Sequence, residues 1–228
     1  MKAVLQTPTP NVKSTTDFYS TIGFTQLSKS PLLVSDNKVV IEINENRFAR
    51  AGVKLFDISW NLIIEQLKDI CIIHKIKNGY MLSTPSNTWI YLIESEESPQ
   101  YDLSKLKPSI LGSNAGLSLE TPNIELSMQI WKTVGFSNQQ GSLDQGWIAL
   151  ANSEGFTISL MQPNTCPHLF FNPSLTYFNG KENLSIIEKI RSLNIPITEE
   201  ITHFNKEGTV DNIIIRDPGG LGFFLFSD

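Results

Sequence analysis

The sequence predicts an α+β fold of four βαβββ units arranged in two tandem halves. Three observations carry that prediction: a repeat about half the chain long, a second repeat interleaved with it, and strand runs in which apolar residues alternate. In the first repeat residues 4–28 overlay residues 116–140, a shift of 112. Leu5, Thr9, Pro10, Asn11, Thr21, Gly23 and Phe24 return as Leu117, Thr121, Pro122, Asn123, Thr133, Gly135 and Phe136. In the second, Ile63, Leu67 and Ile70 return 123 positions later as Ile186, Ile190 and Leu193.

Unit one, near residues 1–46, opens as a strand and turns at Thr9-Pro10-Asn11 into a helix. Asn11 suits the N-cap, because its short side-chain carbonyl can accept from first-turn amides. Gly23 suits the position after the helix, where a left-handed residue is needed. Val39, Ile41 and Ile43 then alternate with Val40, Glu42 and Asn44. The uniformly apolar set belongs under the helix, so Val40, Glu42 and Asn44 face the other way. Unit two, near 49–95, holds a strand at Gly52–Phe56 and the helix carried by Ile63, Leu67 and Ile70. A turn at Ser83–Asn87 precedes a strand in which Trp89, Tyr91 and Ile93 share one face and Ile90 and Leu92 the other. Residues 96–112 are charged, hold Pro99 and Pro108, and read as the linker between a 1–95 half and a 113–228 half.

Unit three, near 113–163, echoes unit one with Asn123 as N-cap and Gly135 as the helix stop. Thr157, Ser159 and Met161 oppose Ile158 and Leu160 in its last strand. The Pro-rich stretch Gln162–Pro173 leads to unit four, near 173–228, with a strand at Leu175–Phe178 and the second-repeat helix. Asp217-Pro218-Gly219-Gly220 reads as a hairpin turn rather than a phosphate loop, because no helix follows it. In the final strand Gly222, Phe224 and Phe226 share a face opposite Phe223 and Leu225.

Composition narrows the function. Of 228 residues 40% are hydrophobic and 18% charged, enough for a packed core. Lys and Arg number 18 against 23 Asp and Glu, a formal charge of −5 without any basic cluster. Nucleic acid is therefore not an expected partner. No stretch reaches the 18 apolar residues of a membrane span, and the chain turns polar at Gln6, too early for a signal peptide. Cys71 and Cys166 form no Cys-x-x-Cys or Cys/His cluster, so reduced thiols and a cytoplasmic location are expected.

Asp17-Phe18-Tyr19-Ser20-Thr21-Ile22-Gly23-Phe24, its echo Ile130-Trp131-Lys132-Thr133-Val134-Gly135-Phe136, and the Asp217-Pro218-Gly219-Gly220 ending resemble the vicinal oxygen chelate superfamily. That superfamily includes glyoxalase I, extradiol dioxygenases and bleomycin-resistance proteins. The resemblance covers nearly the whole chain. It implies a curved mixed sheet in each half, with helices on the convex side and a cavity on the concave side. It also implies that metal-dependent members take ligands from the first strand of a unit, usually His, and from the last, usually Glu. Carried onto this sequence, the first-strand positions fall within about one residue of Val4, Val53, Gly116 and Leu175. The last-strand positions fall at Glu42, Tyr91, Ser159 and Phe224.

Only Glu42 among these could bind a metal, whereas divalent sites need about three or four converging donors. No cofactor is therefore expected. His74 and His203 are expected in the second strands of units two and four, His74 as an edge or surface residue, and His168 as plain linker. Trp60, Trp131 and Trp147 read as core, and Trp89 as part of the concave face. The expected ligand-binding residues are Glu42, Trp89, Tyr91, Ser159, Tyr177 and Phe224, with Glu42 also a candidate general base. This pattern points to a metal-independent binder of a small apolar or aromatic ligand, with a cationic one allowed. The alternative is a glyoxalase- or dioxygenase-type enzyme with atypical ligands or with Glu42 as base. A monomer or homodimer is expected. Which units share a concave face is open in the sequence.

Overall fold

The computed structural model describes residues 1–97 and 99–227. Unit one comprises β1 (Ala3–Pro8), α1 (Val12–Thr21), β2 (Thr25–Lys29), β3 (Leu32–Ser35) and β4 (Val40–Asn44). Unit two comprises β5 (Gly52–Asp57), α2 (Asn61–Leu67), β6 (Ile73–Ile76), β7 (Gly79–Ser83) and β8 (Trp89–Glu94). Unit three holds β9 (Asn114–Glu120), α3 (Ile124–Thr133), β10 (Ser137–Ser142), β11 (Trp147–Ala151) and β12 (Thr157–Met161). Unit four holds β13 (Ser174–Phe178), α4 (Asn183–Ser192), β14 (Ile197–Ile201), β15 (Asn212–Arg216) and β16 (Gly222–Phe226). The predicted strand–helix–three-strand order is present four times.

Each half forms one eight-stranded mixed sheet, in the orders β2-β3-β4-β1-β5-β8-β7-β6 and β10-β11-β12-β9-β13-β16-β15-β14. The first strands of the two units pair antiparallel at the centre, and each runs parallel to the last strand of its own unit. Units one and two therefore share one concave face, and units three and four the other.

Local sequence explains the helix ends. The Asn11 side chain accepts from the Ser14 amide at 3.0 Å and Asn123 from the Leu126 amide at 2.9 Å. Gly23 and Gly135 take φ of 86° and 100°, a region that glycine enters without steric cost. Helix α2 is shorter than its apolar spacing predicts. The Ile70 and Cys71 amides both donate to the Leu67 carbonyl at 3.0 Å, so the chain tightens into a turn and Ile70 packs on the core from outside the helix.

The helix-facing sides of both sheets bury one continuous core. Val39, Ile41 and Ile43 enter it, as do Ile90, Leu92, Ile158, Leu160, Phe223 and Leu225. The halves meet there: the Tyr19 ring of α1 lies 6.2 Å from Phe223 of β16, edge-on, and the Phe18 ring 5.8 Å from it. At the Asp217 turn the chains approach so closely that a Cβ on Gly219 would sit 1.9 Å from the Pro8 carbonyl oxygen.

The segment between the halves is more than a tether. Leu111 is fully buried, and the Ile110 amide donates to the Ile22 carbonyl at 3.0 Å. Earlier in the segment, Tyr101 and Leu103 pack on Val4, Leu33 and Val40, across the concave face of the N-terminal sheet.

Candidate functional site

Strand register fixes which side chains converge on each concave face. In the N-terminal sheet Gln6 pairs with Glu42 and Lys54 with Tyr91. In the C-terminal sheet Ser118 pairs with Ser159 and Thr176 with Phe224. The first-strand positions thus lie at Gln6, Lys54, Ser118 and Thr176. Lys54 and Thr176 lie one residue beyond the expected Val53 and Leu175, which turn into the core, and Gln6 and Ser118 lie two residues beyond Val4 and Gly116. Their last-strand partners in the register are Glu42, Tyr91, Ser159 and Phe224.

The N-terminal face is filled by its own side chains. Lys54 Nζ donates to Glu42 Oε2 at 2.6 Å, and Asn44 Nδ2 donates to Glu42 Oε1 at 3.1 Å. Asn44 Nδ2 also reaches Gln6 Oε1 at 2.9 Å, and Gln6 Nε2 donates to the Arg50 carbonyl at 2.7 Å. The Tyr91 hydroxyl donates to the same carbonyl at 3.2 Å, and burial pushes its pKa up. Tyr101, whose hydroxyl pKa is likewise raised by burial and then by Glu42, covers the apolar end of this face with Leu103. Glu42 is thus a buried carboxylate already holding an ammonium.

The C-terminal face is open. It carries a cavity of about 810 Å³ whose wall includes Trp147, Ser159, Met161, His168, Phe170, Thr176, Phe204, Phe224 and Phe226. Its floor is a hydroxyl pair, Ser118 Oγ and Thr176 Oγ1 at 2.7 Å. Above it the rings form a continuous cluster. Phe224 and Phe226 stack with centroids 5.7 Å apart at 10°, and Phe170 meets Phe224 edge-on at 5.0 Å. The His168 imidazole lies 5.2 Å from Phe224 and 5.1 Å from Phe226. Its Nδ1 lies 2.7 Å from the Leu169 carbonyl oxygen. A carbonyl only accepts, so Nδ1 carries the proton and Nε2 is the ring's acceptor.

Five of the six expected binding residues therefore fall on two separate faces. Glu42, Trp89 and Tyr91 belong to the N-terminal sheet, whereas Ser159 and Phe224 line the C-terminal cavity. Tyr177 belongs to neither. Alternation from Leu175 carries it into the shared core, where it is fully buried and its hydroxyl donates to Asp36 Oδ2 at 2.6 Å. Burial, then the Asp36 charge, pushes its pKa well up.

Three further expectations change. His168 is part of the cavity wall rather than plain linker, because its link folds back over β16. Trp147 lines the cavity rather than the core, and its parity with Ala149 and Ala151 against Ile148 and Leu150 carries that signal in the sequence. His203 lies beyond the end of β14 in an exposed turn, whereas His74 is exposed on edge strand β6 as expected. Phe204 enters the wall from the same turn, which no periodicity marks.

Neither set of positions fits a divalent metal. Ser118 and Thr176 offer hydroxyls already paired with each other, Ser159 a single hydroxyl and Phe224 a phenyl ring, too few donors for such an ion. Gln6, Glu42, Lys54 and Tyr91 offer one carboxylate beside an ammonium that would repel a second cation. Among the described residues no group of three or more His, Cys, Asp or Glu side chains could hold a metal ion. Cys71 and Cys166 are free thiols, each with a pKa raised by burial. No helix among the described residues is long and apolar enough to cross a membrane.

No protein-family model matches this sequence, and no curated protein does either. Solved structures share its fold. A catechol 2,3-dioxygenase superposes with a TM-score of 0.57 at 11% identity, over 97% of this chain and 85% of its own. The 2,3-dioxygenase LapB from Pseudomonas sp. KL28 gives 0.54 at 14%, over 97% and 89%. The 2,2',3-trihydroxybiphenyl 1,2-dioxygenase from Sphingomonas wittichii strain RW1 gives 0.54 at 10%, over 99% and 91%. At these identities the likeness shows a shared fold alone and leaves the chemistry to the residues of this chain.

Proposed function

We propose that this protein is a metal-independent, cytoplasmic binder of a small apolar or aromatic molecule, working as a monomer or homodimer, with the C-terminal cavity as its site. The observation that carries this reading is the pairing of an 810 Å³ aromatic cavity with crossing positions that hold Ser118, Ser159, Thr176 and Phe224. A concave, mostly apolar space with a few polar groups is the usual form of a small-molecule site. The donor set of metal-dependent relatives, His and Glu on the first and last strands, is replaced at all four of these C-terminal positions. Glu42, the one carboxylate at such a position, lies on the N-terminal sheet and is paired with Lys54, which argues against a role as base.

Native mass spectrometry of protein purified without chelator tests the reading. A protein mass without a divalent ion after incubation with ferrous, manganous and zinc salts is expected, and a co-purified organic adduct lost in Phe224→Ala would identify the ligand. A stoichiometric divalent adduct removed by Ser159→Ala or by Glu42→Ala would overturn it.

A further inference from the structure

The cavity wall restricts the ligand further than its aromatic character does. Among the described residues lining it there is no Asp, Glu, Lys or Arg. A charged ligand would lose its hydration there and find no counter-charge, a large penalty in an apolar site. The floor hydroxyls of Ser118 and Thr176 already satisfy each other at 2.7 Å. His168 differs from this hydroxyl pair in standing within the ring cluster. His168 stands among Phe170, Phe204, Phe224 and Phe226, with its ring 15° from parallel to Phe170 and edge-on to the other three. Its Nδ1 proton is committed to the Leu169 carbonyl, which fixes the tautomer and leaves Nε2 without a hydrogen-bond partner among the described residues.

We propose that the C-terminal cavity selects neutral, planar ligands bearing an N–H or O–H group, and that His168 Nε2 accepts the hydrogen bond from that group. The proposal rests on the cavity being a binding site and deepens it, by assigning both the charge of the ligand and the residue that reads its polar edge. Phenylalanine rings supply contact to the ligand face whatever its substituents. An acceptor at a set position discriminates, because a ligand lacking the donor leaves Nε2 desolvated and unpaired.

The test is titration of the whole protein with a matched series, read by calorimetry. Indole carries the donor, 1-methylindole lacks it, and 3-methylindole restores it with the same added volume. Tryptamine and indole-3-acetate carry the same ring with a positive or negative charge. Indole and 3-methylindole are expected to bind about tenfold more tightly than 1-methylindole, the size of one hydrogen bond. The two charged analogues are expected to bind more weakly than 3-methylindole. In His168→Phe, which keeps a ring in the cluster, the preference for the donor is expected to vanish while 1-methylindole binds as before.

Equal binding of 1-methylindole and 3-methylindole would overturn the role of His168, and tighter binding of either charged analogue would overturn the neutral selection. In both cases the cavity remains a binding site. If no member of the series binds and Phe224→Ala changes nothing, the proposal and the binder reading fall together.

Discussion

Tyr19 and Asp217, 198 positions apart, share a hydrogen bond of 3.0 Å inside the core that joins the two halves. Thr7 Oγ1 donates to the same carboxylate oxygen at 2.8 Å, and the Leu221 amide to the other at 2.8 Å. The carboxylate of a hairpin turn in unit four is thus held by the first strand and first helix of unit one. Across the same core Tyr177 and Asp36 repeat the theme from the opposite half. These pairs lock together two sheets that share no strand.

Burial holds the Asp217 pKa above the usual carboxylate range, although its hydrogen bonds from Thr7, Leu221 and Tyr19 pull the other way. The folded state therefore keeps this proton to a higher pH than the unfolded chain. Between the ordinary value of about 3.9 and the raised one, unfolding releases a proton. This group's contribution is full below the ordinary value and is lost as pH rises through the raised one. Tyr19→Phe removes a donor to the charged form, so it should cost about 1–2 kcal/mol at neutral pH and less at acid pH. Urea unfolding at several pH values measures this, and a pH-independent loss would contradict it.

Gly219→Ala tests the same junction by volume. The added Cβ would lie 1.9 Å from the Pro8 carbonyl oxygen and 2.7 Å from Thr7 Oγ1. Backbone cannot yield cheaply there, so the turn must withdraw from β1 and loosen the Thr7–Asp217 bond. A loss of about 2–3 kcal/mol is expected, within the range of overpacked cores. Gly155→Ala, with no atom within 4 Å of its Cβ, carries only the strain of its positive φ and should cost less.

Fold and site differ in how much of each the sequence carries. The units, caps and face assignments were legible because each is local: Asn11 caps the amide of Ser14 three residues on, and Ile41 alternates with Glu42. The pairing of units was not, since β1 and β5 join through contacts that no periodicity encodes. The cavity was half legible. Ser159 and Phe224 follow from strand parity, but His168 and Phe204 arrive from irregular segments whose direction is set by tertiary packing. Tyr177 misled because an aromatic residue in a strand suits either face, and its buried hydroxyl is satisfied only by Asp36 from the other half.

Phe224→Ala should separate cavity from core. The ring is 1% exposed yet faces the cavity, so its loss removes contacts with Phe170 and Phe226 while enlarging a space that already exists. A stability loss of about 3 kcal/mol is expected, the low end for Phe truncation. Binding of 3-methylindole should weaken about tenfold or more in calorimetry. Phe223→Ala, cut from the opposite face of the same strand, should destabilise at least as much and leave binding near the wild-type value.

The linker makes a separate prediction. Tyr101 and Leu103 cover the apolar end of the N-terminal concave face, against Val4, Leu33 and Val40. Removing the ring with Tyr101→Ala should free residues 99–107 from that face before the protein unfolds globally. Hydrogen exchange of those amides should then rise while β1 and β4 keep their protection. Unchanged exchange would mean that the segment is held from Leu111 and Ile110 alone.

Lys54 and Glu42 give the sharpest test of how the N-terminal face is filled. Their ion pair is 2.6 Å long, and both side chains are mostly buried, at 16% and 11% exposure. The lysine supplies the positive charge beside Glu42 on this face. Removing it alone should be costly: Lys54→Met leaves a carboxylate with Asn44 as its remaining partner, and about 3 kcal/mol of destabilisation is expected. Glu42→Gln in the same chain removes the orphaned charge and should recover most of that loss. The double-mutant cycle therefore predicts a large coupling between the two positions, beyond the few tenths expected of independent sites. Urea unfolding of the four proteins measures it. Additive losses would show that each side chain is solvated separately, and the face would then be an ordinary wet groove rather than one closed by its own internal cation.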